Sequence, residues 1–463
     1  MVGRALVVLV VGLGLLAAPA RAQTQDIAER LRAVPGVTSV SESPTPPPDY
    51  RFFRLTFRQP ADHRHPSAGS FDQRITILHR DTARPMVLYT GGYSVSQNPT
   101  RSEPTRLVDG NQLSVEQRFF SPSRPQPADW SDLNIWQAAT DHHRLIEALR
   151  PIYGARWLST GGSKGGMASV YHRRFYPDDV DGTVAYVAPN DAVNFEDSAY
   201  TRFFRTVGNE ACRDALVAVQ REALGRRRAE LLARWQAAAA AAGLTFSRTV
   251  GTADRSLELS VLDTPWAFWQ YRSEADCASV PPPTASTDAL YGFIDSVVSF
   301  AFYTDQGLEP YIPYYFQAGT QLGWPDPSFR HLRGLTRYPG LYTPRAVVPR
   351  ELPMRFEPLR MLDVDLWVRL RGSELLFVYG ENDPWGAEAF EISPWTRDSY
   401  WYEVDGGNHG SNISRLAPSE RMEATATVER WAGVEGAAQT RSAQRYIPEL
   451  DDHNPGLDRG LPF

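Results

Sequence analysis

Gly161-Gly162-Ser163-Lys164-Gly165 follows the short apolar run "ARWLST" (155–160) and leads into a helical pattern. A serine on a sharp strand-to-helix turn projects its hydroxyl at the sheet edge, near helix amides that favour a developing anion. Small neighbours are needed there, because side chains would collide with the adjoining strand and helix. A hydroxyl becomes a nucleophile only when a base takes its proton, and that base needs an acid to orient it. His409 stands in "VDGGNHGSN" and Asp383 in "VYGENDPWG", each directly after a predicted strand. All three residues therefore fall at strand carboxyl ends, in the order Ser, Asp, His. Taken singly, each reads as an ordinary loop residue; together they read as a triad for acyl transfer. Glu381 and Asp405 flank the pair, but Glu381 comes earlier in its loop and Asp405 precedes the paired glycines.

Acyl transfer also needs donors for the oxyanion. The amide of Lys164, next after the nucleophile, is one; a second is expected near Gly92 or Tyr93, where "LYTGGY" ends an apolar strand. Lys164 is the chain's only lysine among 48 lysines and arginines. That points to a local requirement that a planar guanidinium does not meet, against the plainer reading of compositional drift. Metal chemistry is not indicated. His63 and His65 alternate, His142 and His143 are adjacent, and neither pair has the i, i+4 spacing of helical ligands. Without a phosphate-cradling loop or a dinucleotide fingerprint, no cofactor is implied.

The elements that must position these groups alternate between strand and helix. Segments 50–60, 69–80 and 84–93 read as strands, 132–150 as a helix stopped by Pro151 and Gly154, and 180–191 as a further strand. Sheet signals return at 373–385 and 399–410, before a helical pattern over 417–433. Such alternation implies an α/β fold with a mostly parallel sheet flanked by helices, the arrangement of α/β hydrolases. The interval from Ser163 to Asp383 far exceeds the roughly 60 residues that two βα units need. The surplus, with a long helical run at 212–243 and the aromatic-rich runs 264–271 and 308–316, is expected to form a large, mainly helical cap. The resulting division is a signal peptide (1–22), an extended lead-in (23–49) ending in a proline cluster, core (50–193), cap (194–345), core (346–435) and a C-terminal tail (436–463).

Residues 1–22 carry Arg4, a short apolar run and the small-residue site Ala20-Arg21-Ala22, so export with cleavage near Ala22 is expected, to an extracellular or periplasmic address. The apolar run is shorter than the ~20 residues a spanning helix needs, and membrane residence after cleavage is not expected. An oxidising address favours a bridge between the two cysteines, Cys212 and Cys277, with two buried thiols as the alternative. The 463 residues are 42% hydrophobic with a formal charge of -6, which suits a large core and argues against a nucleic-acid partner.

The segment 159–191, "STGGSKGGMASVYHRRFYPDDVDGTVAYVAPND", with "YGENDPW" and "GGNHGSNI", resembles the secreted bacterial prolyl tri/tetrapeptidyl aminopeptidases, serine peptidases with an α/β-hydrolase core. "FRQPADH", "GSFDQR" and "VEQRFF" are more distantly similar to the Pro-Xaa carboxypeptidases and their dipeptidyl peptidase relatives. The resemblance runs from about Phe57 to Asn412 and is weakest across the cap. It implies Ser163 as nucleophile, Asp383 as acid and His409 as base, acting on peptides with free N-termini, often after proline. Proline before the scissile bond needs an apolar slot, for which Trp266, Phe268, Trp269, Tyr314, Tyr315 and Trp385 are candidates; cap packing is the competing role. The substrate ammonium needs a carboxylate, and Asp191, Glu196 and Asp197 follow a core strand at the start of the cap. Other readings stay open: an esterase or lipase with the same triad, a Pro-specific carboxypeptidase, and a noncatalytic binding protein. Oligomeric state is not legible.

Overall fold

The computed structural model describes residues 25–434 and 446–451. Nine strands form one sheet: β1 (Val37–Glu42), β2 (Arg51–Pro60), β3 (Ser70–His79), β4 (Met86–Thr90), β5 (Asn111–Val115), β6 (Trp157–Gly162), β7 (Gly182–Tyr186), β8 (Leu375–Gly380) and β9 (Tyr400–Val404). Their order is β1-β2-β3-β5-β4-β6-β7-β8-β9. β1, β2, β3 and β5 pair antiparallel in turn, and every pairing from β5 across to β9 is parallel. β4, β6 and β8 are buried along their whole lengths, as strands covered on both faces must be. This is the α/β-hydrolase fold.

Helices cover both faces. Ile135–Leu149, opened by the Asn134 side chain accepting from the Gln137 amide, packs beside Lys164–Phe175. Leu359–Arg371 joins them on the same side, its Met361, Val364 and Val368 sharing a buried cluster with Met167, Val170 and Phe377. Pro418–Trp431 covers the other face, with Val428 and Trp431 against Val184 and Val378.

Between β7 and β8 the chain leaves the sheet for a helical insertion, from Ser198–Thr206 through Pro344–Val347. Its own core gathers Leu216, Leu257, Trp266, Phe268, Ile294 and Tyr315. The run 212–243, expected as one helix, forms two: Glu210–Leu224 and Arg228–Ala241, broken at Gly225. A disulfide joins Cys212 to Cys277, Cα atoms 5.4 Å apart, tying the first of these helices to the turn after Ala253–Tyr271.

The N-terminal region differs from the expected extended lead-in. Residues Ile27–Arg32 form a helix capped by the Asp26 carboxylate, and β1 adds an edge strand. The cause lies in Ile27, Ala28, Leu31 and Val34, which bury against Phe53, Leu55 and Phe57. The C-terminal residues 446–451 also dock, through buried Ile447 and Leu450 and through Arg101 Nε to Asp451 at 2.8 Å. The expected signal segment (1–22) and most of the expected tail lie outside the described residues. Among those described, no helix is long and apolar enough to cross a membrane.

Candidate active site

β5 lies on one side of β4 and β6 on the other, so the chain order reverses between neighbouring strands. Such a switch point opens a crevice at the strand carboxyl ends. β6 ends at Gly162, and Ser163 follows at φ 52° and ψ -122°. A non-glycine residue there stores strain of about 1–3 kcal/mol, which the surroundings must over-determine. They do so through the Ser163 amide, which donates to the Tyr186 carbonyl at 2.8 Å, and the Ser163 carbonyl, which accepts from Met167 N at 2.9 Å. Gly161 and Gly165 make the turn possible: a Cβ at either would strike the Thr90 carbonyl oxygen.

Asp383 and His409 come from the loops after β8 and β9, and their side chains meet. His409 Nδ1 and Asp383 Oδ2 are 2.7 Å apart, and both residues are 1% exposed. The other carboxylate oxygen accepts from Trp385 N at 3.1 Å, which fixes the acid's orientation. An imidazole bonded to a carboxylate through Nδ1 has its tautomer set, with Nε2 as the nitrogen suited to take a proton. Buried Ser163 (2% exposed) shares this region of the sheet edge. Two bonds then clip the histidine loop to the insertion: His409 N donates to Gln270 O, and Asn408 Nδ2 to Arg272 O, both at 3.1 Å. Trp385 and Tyr271 stand against the imidazole, with ring centres 6.3 and 6.5 Å away.

The Lys164 side chain is buried. Its ammonium donates to the Gly92 carbonyl at 2.5 Å and lies 5.4 Å from the ring centres of both Tyr93 and Phe120. In a trans peptide the N–H opposes the carbonyl, so drawing the Gly92 oxygen towards Lys164 turns the Tyr93 amide the other way. Gly92 itself has φ +75°, and a Cβ there would lie 2.9 Å from Lys164 Cγ. A planar, branched guanidinium differs in shape and donor geometry from this single ammonium.

The remaining expected contacts divide. Asp191 is buried, and burial followed by the nearby charge of Asp197 raises its carboxyl to about 7. Glu196 is exposed, taking the Ser198 amide, and Asp197 accepts from Asp326 N at 2.8 Å. Trp385 packs against Trp266 with centres 4.8 Å apart. Trp269 lies deeper, under Gly208 and beside Phe268, in the wall of a cap groove of about 280 Å³. Sequence reasoning missed Trp324, whose ring centre is 5.9 Å from that of Trp385. It also missed Glu388, raised to about 8 by burial first and then by Asp191. A carboxylate five residues after the acid in an irregular loop gives no periodic signal.

A family model described as PS-10 peptidase S37 matches residues 20–456. A prolyl tri/tetrapeptidyl aminopeptidase from Streptomyces mobaraensis is 55% identical over 445 residues, 96% of this chain and 92% of that protein. Among solved structures, proline iminopeptidase from Mycobacterium smegmatis matches at 14% identity and TM-score 0.34, over 85% of this chain and 99% of that one. Carboxyl esterase 2 from Tuber melanosporum matches at 11% identity and TM-score 0.35, over 86% and 90%.

Proposed function

The chain belongs to the PS-10 peptidase S37 family of serine peptidases, and from that premise we propose that it releases tri- or tetrapeptides from free N-termini, with proline before the scissile bond. Ser163 attacks the peptide carbonyl while His409 Nε2 takes the hydroxyl proton. The imidazolium is stabilised by Asp383 and returns the proton to the departing amine. The released product carries the new N-terminus, and the N-terminal peptide stays esterified to Ser163. Water then attacks that ester, with His409 again as base and Ser163 as leaving group. The oxyanion of each tetrahedral intermediate is met by the amides of Lys164 and of the Gly92–Tyr93 turn.

The observation that carries this reading is the buried 2.7 Å contact between His409 and Asp383, at the same sheet edge as a serine held at positive φ after β6. The proline ring fits an apolar wall, and Trp385 with Trp266 supplies one beside the imidazole. Residues 1–22 direct export, so the enzyme works outside the cytoplasm. The test is a free-amine Ala-Ala-Pro p-nitroanilide compared with its N-acetylated form and with short acyl esters, and mass spectrometry of the products from longer peptides. Turnover of esters alone makes the protein an esterase; single residues released from C-termini make it a carboxypeptidase.

A further inference from the structure

A group of buried polar atoms beside the triad takes no part in acylation. Asp191 is 4% exposed, and neither carboxylate oxygen has a hydrogen-bond partner. Other buried carboxylates are met: Asp141 by Arg118 and His63, and Glu258 by Arg228 and by the amides of Arg337 and Tyr338. The cost of an unpaired buried carboxylate shows here as a carboxyl raised to about 7, and a cation paired with it would restore its charge. The indole N–H groups of Trp324, Trp266 and Trp385 are buried and unpartnered as well.

The Gly323 backbone lies directly against Asp191. Gly323 has φ +88°, and a Cβ there would lie 2.5 Å from the Asp191 carbonyl oxygen and 2.8 Å from its Cγ, so only glycine fits against this residue. Glu388 stands next to this place, because Asn190 N donates to the Glu388 carbonyl at 2.8 Å and Pro189 pairs with Ala389. The charged and titratable groups facing the pair are Asp197, Glu196, Arg202, Tyr200 and Tyr314, and the carboxylates outnumber the single guanidinium. An acidic, aromatic-walled surround, whose carboxyls a bound cation would ionise, suits a group with several N–H donors.

We propose that Asp191, with Glu388 beside it, is the receptor for the α-ammonium group of the substrate's N-terminus. This rests on the reading of the chain as an N-terminal exopeptidase. The receptor accounts for the requirement for a free amine, which the triad alone does not impose. Ring-to-ring steps of 5.9 Å from Trp324, which follows Gly323, to Trp385 and 6.3 Å from Trp385 to His409 lead from this place to the base. Three extended residues span about 10 Å, the same scale.

The experiment compares kcat/KM for free and N-acetylated Ala-Ala-Pro p-nitroanilide in the wild type, Asp191→Asn and Glu388→Gln. The expected result is a wild-type preference for the free amine that falls about 10- to 100-fold in each variant, mainly through KM, the scale of a lost charged hydrogen bond. Asp191→Asn also raises the Tm at pH 7, because it removes an unpaired buried charge; a residue needed only for folding would lower it. A wild type that prefers the free amine, with both variants keeping that preference, overturns the receptor. A wild type that cleaves both substrates equally overturns the exopeptidase reading beneath it.

Discussion

The sheet edge and the seam beneath the cap treat buried polar groups in opposite ways. At the edge, polar groups are tied down: Asp383 accepts from Trp385 N and meets His409, the Ser163 amide reaches Tyr186, and Lys164 holds the Gly92 carbonyl. At the seam, the Asp191 carboxylate and the indoles of Trp266, Trp324 and Trp385 are buried without partners. Groups that do chemistry must be pre-oriented, and their hydrogen bonds are complete before substrate arrives. Groups that recognise a ligand gain most when the ligand supplies the missing bond. On the receptor proposal, completed hydrogen bonds mark the catalytic edge and open hydrogen-bonding capacity marks the recognition seam.

If this contrast is right, edge variants damage kcat and seam variants damage KM. The largest expected effect is Ser163→Ala, which lowers peptidase kcat by about 10⁶-fold and abolishes fluorophosphonate labelling. Asp383→Asn follows at about 10⁴-fold in kcat, through loss of the correct imidazole tautomer. Lys164→Met releases the Gly92 carbonyl and should cost about 10²-fold in kcat with KM little changed, the scale of one misplaced oxyanion donor. Lys164→Arg with wild-type kcat would remove the positioning role from the comparison.

Smaller effects sharpen the seam side through stability. Asp191 ionises near pH 3.9 when unfolded but at about 7 in the fold, so between these values the folded state binds more protons. Stability therefore falls as pH rises across that window, and Asp191→Asn flattens the slope of Tm against pH. Replacing both Cys212 and Cys277 with serine should cost about 2–4 kcal/mol in denaturant unfolding, with little change in labelling of Ser163.

Much of the edge was legible because strand ends announce themselves. An apolar run stopped by small residues marks β4, β6 and β8, and their loops carry Gly92, Ser163 and Asp383. β5 was not legible: its buried Asn111 and Gln112 satisfy themselves on Asp81, Arg84 and Thr100 carbonyls, so its letters look like a loop. β1 escaped for the opposite reason, since an edge strand without a fully buried residue shows no apolar alternation. The 212–243 run hid its break because helix propensity continues through Arg226 and Arg227, and only Gly225 interrupts it. At the seam, Asp191 was found as one of several acidic residues following a strand. What separates it from Glu196 is burial without a partner, which only the folded chain reveals.

The bonds from Gln270 and Arg272 to the histidine loop have a mechanical consequence. Any lifting of the insertion off the sheet would have to break both bonds. The roof and the base are thus mechanically coupled, and neither can travel far without releasing the other.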